Sequence, residues 1–102
     1  MKKIINRKLY DTETATFIGA DSYGFPRDFR YWHEELYMNN SGEFFVYGEG
    51  GPLSEYAVSV GSNETSGSEK IRLLSKDEAI EWGENHLDPD IFLEYFSEYI
   101  EK

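Results

Sequence analysis

The feature that most constrains the fold is an alternating stretch of side chains that ends in a tight turn. Residues 29–38 place two sets of side chains on opposite sides of an extended chain: Tyr31, His33, Glu35 and Tyr37 on one side, and Trp32, Glu34, Leu36 and Met38 on the other. A period of two is typical of a strand. The next residues, Asn39-Asn40-Ser41-Gly42, include types that tolerate positive φ and favour a turn. Residues 43–47 then return as the partner strand, so the sequence predicts a hairpin centred on the turn.

Further strands are predicted on both sides of this hairpin. Residues 3–21 contain β-branched and aromatic segments that favour strands, and residues 71–74 predict another short one. The glycine-rich residues 48–52 predict a break in the chain. Residues 54–60 predict either a short helix capped by a serine or an irregular strand. The Ser, Gly and Asn content of residues 61–69 predicts a mobile loop.

Two capping signals predict helices at the end of the chain. Ser75 and Glu78 have the spacing of a capping box, so we expect a helix from there to about His86. Asp88 and Pro89 suit the N-cap and the first helical position of a second helix. The apolar positions of that helix form one broad face, made by Ile91, Phe92, Tyr95, Phe96, Tyr99 and Ile100.

These elements together predict one α+β domain over residues 1–102. We expect an antiparallel sheet of about four to five strands, packed on one face against the two C-terminal helices. Aromatic residues are 17% of the chain, which is enough to build an apolar core.

The residue inventory argues against most catalytic chemistry. The chain has no cysteine, which excludes disulfides, thiolate metal sites and a cysteine nucleophile. His33 and His86 are the only histidines, and they lack metal-ligand spacing. The glycines at 48–51 precede Pro52 rather than the Lys-Ser or Lys-Thr of a phosphate loop, so a close backbone approach is the simpler interpretation. We therefore expect no enzymatic activity, no cofactor and no metal.

The charge of the chain predicts the kind of partner. The net charge is −10, which argues against binding to free nucleic acid or to an anionic membrane. No apolar run approaches the roughly 20 residues of a membrane span, and the first residues lack the apolar stretch of a signal peptide. We therefore expect a cytoplasmic protein whose partner is another protein.

Acidic residues are concentrated in the predicted helices. Asp90, Glu94 and Glu98 recur every four residues, and each step of a helix by four residues rises about 6 Å. Two nucleotides of a DNA strand advance about 6.8 Å, so the row could imitate phosphates. The alternative is the ordinary solvated face of an amphipathic helix. Three acids of the preceding helix would widen the acidic surface, namely Glu78, Glu81 and Glu84.

A second candidate for partner contact is a dense run of aromatic and arginine residues between residues 23 and 32. Trp, Tyr and Arg are enriched at the hot spots of protein interfaces. The alternative is that half of these aromatics fill the core beneath the sheet. Phe25, Arg27 and Arg30 are the candidates for contact with a partner.

Three sequence stretches together resemble a family of small proteins carried on phages and integrative elements of Gram-positive bacteria. They are Lys8-Leu9-Tyr10-Asp11-Thr12-Glu13-Thr14-Ala15, Glu35-Leu36-Tyr37 followed by Tyr47-Gly48-Glu49-Gly50-Gly51-Pro52, and Leu74-Ser75 leading to Glu78-Ala79 and Trp82. Some small acidic proteins from such neighbourhoods are anti-CRISPR proteins that act on type II Cas9 systems. The resemblance implies an inhibitor of host defence that binds a Cas effector or its RNA–protein complex. The alternative is a structural or regulatory interaction protein of a mobile element, with no defence target.

Overall fold

Eight strands precede two helices along the chain, in a computed structural model that describes residues 1–101. The strands are β1 (Lys2–Ile5), β2 (Lys8–Asp11), β3 (Thr16–Tyr23), β4 (Trp32–Met38), β5 (Phe44–Gly50), β6 (Val58–Gly61), β7 (Glu64–Ser66) and β8 (Ser68–Leu74). The helices are α1 (Lys76–His86) and α2 (Pro89–Phe96), and a 3₁₀ turn follows at Ser97–Tyr99.

The centre of the fold is a four-stranded antiparallel sheet with the order β3-β4-β5-β8. Two separate hairpins, β1–β2 and β6–β7, are attached to it. The two helices follow the last strand, so the predicted α+β fold class is confirmed. Neither helix within residues 1–101 has the length and apolar character needed to cross a bilayer.

Each face of the sheet carries its own core. The helix-side core consists of Ile18, Leu36, Val46, Leu74, Ala79, Trp82, Phe92 and Phe96. The opposite core lies under the β1–β2 hairpin and consists of Tyr10, Tyr37, Phe45 and Ile71. The strand alternation predicted from the sequence explains this division, because Leu36 and Tyr37 are adjacent residues and point to opposite faces.

The predicted central hairpin and the helix caps are confirmed. The Asn39 N–H donates to the Glu43 carbonyl over 2.8 Å, and Gly42 adopts φ 79°, a conformation that glycine reaches without steric cost. At the start of α1 the Ser75 hydroxyl accepts from the Glu78 N–H at 3.1 Å, and the Glu78 carboxylate accepts from the Ser75 N–H at 2.9 Å. Asp88 caps α2, and Pro89 is its first residue.

Three predicted boundaries near the hairpin are wrong. The strand before the turn begins at Trp32, since residues 29 and 30 lie in a turn held by the Asp28 carbonyl, which accepts from the Tyr31 N–H at 3.1 Å. Strand β3 continues to Tyr23, two residues beyond the segment predicted to form strands. Strand β5 continues to Gly50, through the predicted break, because it pairs with both neighbours over its whole length.

Of the two alternatives predicted for residues 54–60, the structure has the irregular strand over part of the segment, since β6 begins at Val58 and contains a register shift. Ser54 caps no helix, since its hydroxyl closes a turn by donating to the Gly51 carbonyl at 2.7 Å and accepting from the Tyr56 N–H at 3.1 Å. The predicted loop at residues 61–69 instead forms the end of β6, the turn, strand β7 and the start of β8. The turn includes Asn63 at φ 63°, a conformation that Asn tolerates better than most residues.

Candidate functional site

Helix α2 directs two of the predicted acids away from the sheet. With about 3.6 residues per turn, Phe92 and Phe96 share the side that is buried in the core. Asp90 and Glu94 lie on the opposite side, and both are exposed. The two carboxylates therefore form a short row that faces solvent.

The third member of the predicted row leaves it. The α-helix ends at Phe96, whose backbone (φ −127°, ψ 14°) departs from helical geometry, and Glu98 lies in the following 3₁₀ turn. The tighter turn carries Tyr99, whose ring lies 4.8 Å below the Lys76 ammonium. The prediction of one regular row of three carboxylates is therefore wrong, although Glu98 is exposed like the other two.

The three predicted acids of helix α1 are all exposed, but they do not border the same cleft. Glu78 and Glu81 border a cleft of about 230 Å³ that also contains Arg72. Glu84 borders a different, apolar cleft between the two helices. The Glu78 carboxylate also belongs to the capping box, and its hydrogen bonds with Ser75 lower the pKa of Glu78 below its ordinary value.

These six carboxylates, which we call the acidic helical surface, form no ion pair within residues 1–101. The members are Glu78, Glu81, Glu84, Asp90, Glu94 and Glu98. The ion pairs of the described chain all involve other acids: Lys8–Glu43, Arg72–Glu34, His33–Glu35 and His86–Asp21. Residues 77–101 contain nine acids and no Lys or Arg. The fold therefore pairs none of these six carboxylates in an ion pair, although Arg72 shares the cleft of Glu78 and Glu81 and its charge contributes to the lowered pKa of Glu78.

The second predicted contact region is an exposed loop at one end of the sheet. Phe25 is 80% exposed and Phe29 is 65% exposed, and Arg27 and Arg30 are exposed beside them. These two phenylalanines do not fill the core. The loop is nevertheless ordered by backbone hydrogen bonds, among them one of 2.8 Å from the Leu53 N–H to the Phe29 carbonyl. We call residues 24–31 the aromatic loop.

A buried acid that was not predicted as functional lies under the helices. Glu34 is 3% exposed and accepts hydrogen bonds from the Tyr56 hydroxyl, from Trp82 Nε1 at 2.9 Å and from Arg72 Nη2 at 3.2 Å. Burial raises the pKa of Glu34, but the bonds from Tyr56 and Trp82 and the charge of Arg72 outweigh it, so the pKa lies below its ordinary value. The carboxylate is ionised and satisfied.

Strand alternation contained a signal for this cluster, since it placed Glu34 on the same side as the apolar Leu36 and Met38. The partners of Glu34 are 22, 38 and 48 residues away in the chain, so no local pattern identifies them. Tyr56 reaches the carboxylate across Gly48, where an added Cβ would overlap its ring. Gly48 is therefore needed for the close approach of Tyr56, as the sequence predicted for these glycines. It lies within strand β5, however, and not in a break of the chain.

The two histidines each contact an acid. His86, in the last turn of α1, makes a 2.9 Å contact from Nδ1 to Asp21 Oδ2 on β3 and packs against the Trp82 ring. His33 Nε2 lies 2.9 Å from Glu35 Oε2 and is half-buried on the opposite face of the sheet. His86 therefore connects α1 to β3, whereas His33 contacts a residue of its own strand, β4. Among residues 1–101, no three His, Asp or Glu side chains are placed to hold a metal ion.

Beyond the β1–β2 hairpin, the sheet face opposite the helices carries tyrosines that contact carboxylates. The Tyr31 hydroxyl donates to Glu49 Oε1 at 3.0 Å, and the Tyr47 hydroxyl lies 2.9 Å from Glu49 Oε2 and 2.6 Å from Glu69 Oε2. Burial, together with these carboxylates, raises the pKa of Tyr47 above its ordinary value. These acids accept hydrogen bonds from side chains of the fold, whereas in the acidic helical surface Glu78 accepts one from the Ser75 backbone N–H.

Comparison of the chain with models of protein families, with curated proteins and with solved structures finds no match. The functional interpretation therefore depends on the sequence and on the geometry described above.

Proposed function

We propose that the protein is an inhibitor of host defence encoded by a mobile element, an anti-CRISPR protein that binds a Cas9-type effector in the bacterial cytoplasm. The observation that carries this proposal is the acidic helical surface, where six exposed carboxylates form no ion pair within residues 1–101. Cas effectors hold nucleic acid in positively charged channels. An acidic surface is complementary to such a channel, and the complementarity favours fast and specific association.

Glu78 completes the capping box of α1, but the exposure of the other five acids supports binding rather than a role in folding. An exposed carboxylate without a partner contributes little to stability, and like charges four residues apart on a helix cost a few tenths of a kcal/mol. Asp90 and Glu94 retain the spacing of about 6 Å that approximates two nucleotide steps. The proposed mechanism is therefore occupation of a nucleic-acid-binding surface of the effector, without catalysis and without binding to free DNA.

A second candidate function is favoured by the aromatic loop. Phe25 and Phe29 are among the most exposed large apolar side chains of the described chain, and arginines flank them. Aromatic and arginine side chains that become buried in an interface can dominate its affinity. The second candidate is therefore an interaction protein of a mobile element, with no defence target, that binds its partner through this loop.

A plasmid-interference assay with matched variants tests the proposal. The test variant is Asp90→Asn with Glu94→Gln and Glu98→Gln. The control variant, Glu13→Gln with Glu55→Gln and Glu64→Gln, changes the net charge equally at exposed acids outside the helices. We expect the test variant to lose inhibition and the control to retain it, and both to melt like the unmodified protein.

Competition with DNA for purified guide-loaded Cas9 gives the same test without cells. We expect the unmodified protein to displace DNA less effectively as salt rises, since screening shortens to about 8 Å at physiological ionic strength. Equal inhibition by both triple variants would remove the acidic helical surface from the mechanism. Lost inhibition in Phe25→Ser with Arg27→Ser and Arg30→Ser would then assign binding to the aromatic loop. An unmodified protein that inhibits in neither assay would overturn the anti-CRISPR proposal.

A further inference from the structure

The apolar cleft between α1 and α2 has a volume of about 320 Å³ and opens to solvent. Its lining is almost entirely apolar and consists of Gly83, Leu87, Pro89, Phe92, Leu93 and Ile100, with Glu84 at its border. Leu93 is 47% exposed and Ile100 is 41% exposed. Large aliphatic side chains at the mouth of a cleft remain partly in water unless another molecule covers them.

The packing of the two helices explains the shape of this cleft. A Cβ added to Gly83 would lie 2.9 Å from the Phe92 ring, so the absence of a side chain lets α2 approach α1 closely. Phe92 and Leu87 form the floor, and Leu93 stands at the side of α2 between the buried Phe92 and the exposed Asp90. The floor is thus built by residues that also hold the helices together.

The charge around the cleft selects the chemistry of its occupant. Glu84 borders it on α1, and Asp90 and Glu94 follow Leu93 around the surface of α2. No Lys or Arg occurs between residues 77 and 101. A second copy that docked by the same face would place acid against acid, which disfavours a two-fold dimer here. The basic β1–β2 hairpin of the same chain is packed on the opposite face of the sheet, away from the cleft.

We propose that this cleft binds a basic amphipathic helix of the protein partner. Aliphatic side chains spaced at i, i+3 or i+4, and i+7 would enter the cleft beside Leu93, and lysines or arginines would face Glu84 and Asp90. The proposal depends on the proposed function only in that it names the part of a basic partner that the acidic helical surface recognises. Its test needs neither a Cas effector nor nucleic acid.

The probe is a synthetic helical peptide of about 18 residues with a leucine stripe at this spacing and lysines elsewhere. The first control peptide replaces each lysine with glutamate, and the second has the same composition in an order without a stripe. We expect only the leucine–lysine peptide to bind, as measured by fluorescence anisotropy. The amide resonances of the protein that shift when this peptide binds should belong to α1 and α2.

Matched protein variants separate the cleft from general charge attraction. Leu93→Ser should weaken binding of the leucine–lysine peptide about tenfold, since it removes an apolar anchor. Leu53→Ser changes another exposed leucine, outside the helices, and should leave binding within about twofold. Glu84→Lys should weaken binding of the leucine–lysine peptide more than Glu55→Lys does. The second substitution makes the same change in net charge at an exposed acid outside the helices.

Three results would overturn the inference. Equal affinity for the striped and scrambled peptides would reduce binding to charge alone, and so would unchanged affinity in a folded Leu93→Ser variant. Concentration-dependent oligomers in analytical ultracentrifugation that Leu93→Ser abolishes would assign the cleft to a second copy. Peptide binding at the cleft without inhibition of interference would leave this inference standing and overturn the proposed function instead.

Discussion

Glu34 and Glu94 are residues of the same type in opposite environments. Glu34 is buried and accepts hydrogen bonds from three side chains, whereas Glu94 is exposed and has no basic partner within residues 1–101. Burying a carboxylate is costly unless it is paired and hydrogen-bonded, so the donors around Glu34 are needed for the fold itself. The comparison separates charge that the fold uses internally from charge that it leaves for a partner.

Removal of the buried acid is expected to have the largest effect on stability. Glu34→Ala removes the partner of the part-exposed Arg72 and leaves two buried donors, on Tyr56 and Trp82, without their acceptor, and each such donor costs about 1–3 kcal/mol. This is a large share of the about 5–15 kcal/mol that stabilises a typical domain. Urea unfolding measures the change. The exposed Glu81→Ala is the control, and equal effects of the two substitutions would contradict the distinction.

A smaller loss is expected when the path of Tyr56 to Glu34 is blocked. In Gly48→Ala the new Cβ overlaps the Tyr56 ring, and overpacking of this kind costs about 1–3 kcal/mol. Gly61→Ala is the matched control, because its nearest neighbour would lie 3.6 Å away. If Tyr56 is the obstacle, Gly48→Ala should cost less in a Tyr56→Ala background, and additive effects would contradict this mechanism.

The two environments should also differ in acid. The lowered pKa of Glu34 means that the unfolded chain takes up this proton at a higher pH than the folded one. The stability that ionised Glu34 contributes is therefore complete above a pH of about 4.5 and is lost as the pH falls through the folded pKa. The free energy of unfolding then changes by at most about 1.4 kcal/mol per pH unit. Between about pH 5 and about pH 3, the free energy of unfolding should fall less steeply in Glu34→Gln than in the unmodified protein. Glu81→Gln is the control at an exposed acid, and an equal flattening by both substitutions would argue against the assignment.

The smallest effect on stability is expected at the acidic helical surface. The triple variant Asp90→Asn, Glu94→Gln and Glu98→Gln should change the free energy of unfolding by less than about 1 kcal/mol, since exposed substitutions are usually within ±0.5 kcal/mol each. Thermal and urea unfolding check this. A larger loss would show that these acids support the fold, and the comparison with Glu34 would then fail.

Local sequence signals predicted the elements whose stabilising contacts are local. The capping box of Ser75 and Glu78, the proline at position 89 and the turn at Asn39–Gly42 act over one to four residues, and the structure has all three. The acids of α1 and α2 were likewise found by composition, because an exposed side chain needs no particular neighbour.

Only the tertiary structure decided which carboxylate is buried and where the regular elements end. Glu34 is satisfied by residues from a loop, a strand and a helix that are distant in sequence, and Gly48 stays in a strand because both neighbouring strands pair with it. Glu98 leaves the predicted row because the chain tightens after Phe96 and brings the Tyr99 ring under Lys76. Periodicity describes what one element presents, whereas these outcomes depend on which elements pack together, and that is a property of the folded chain.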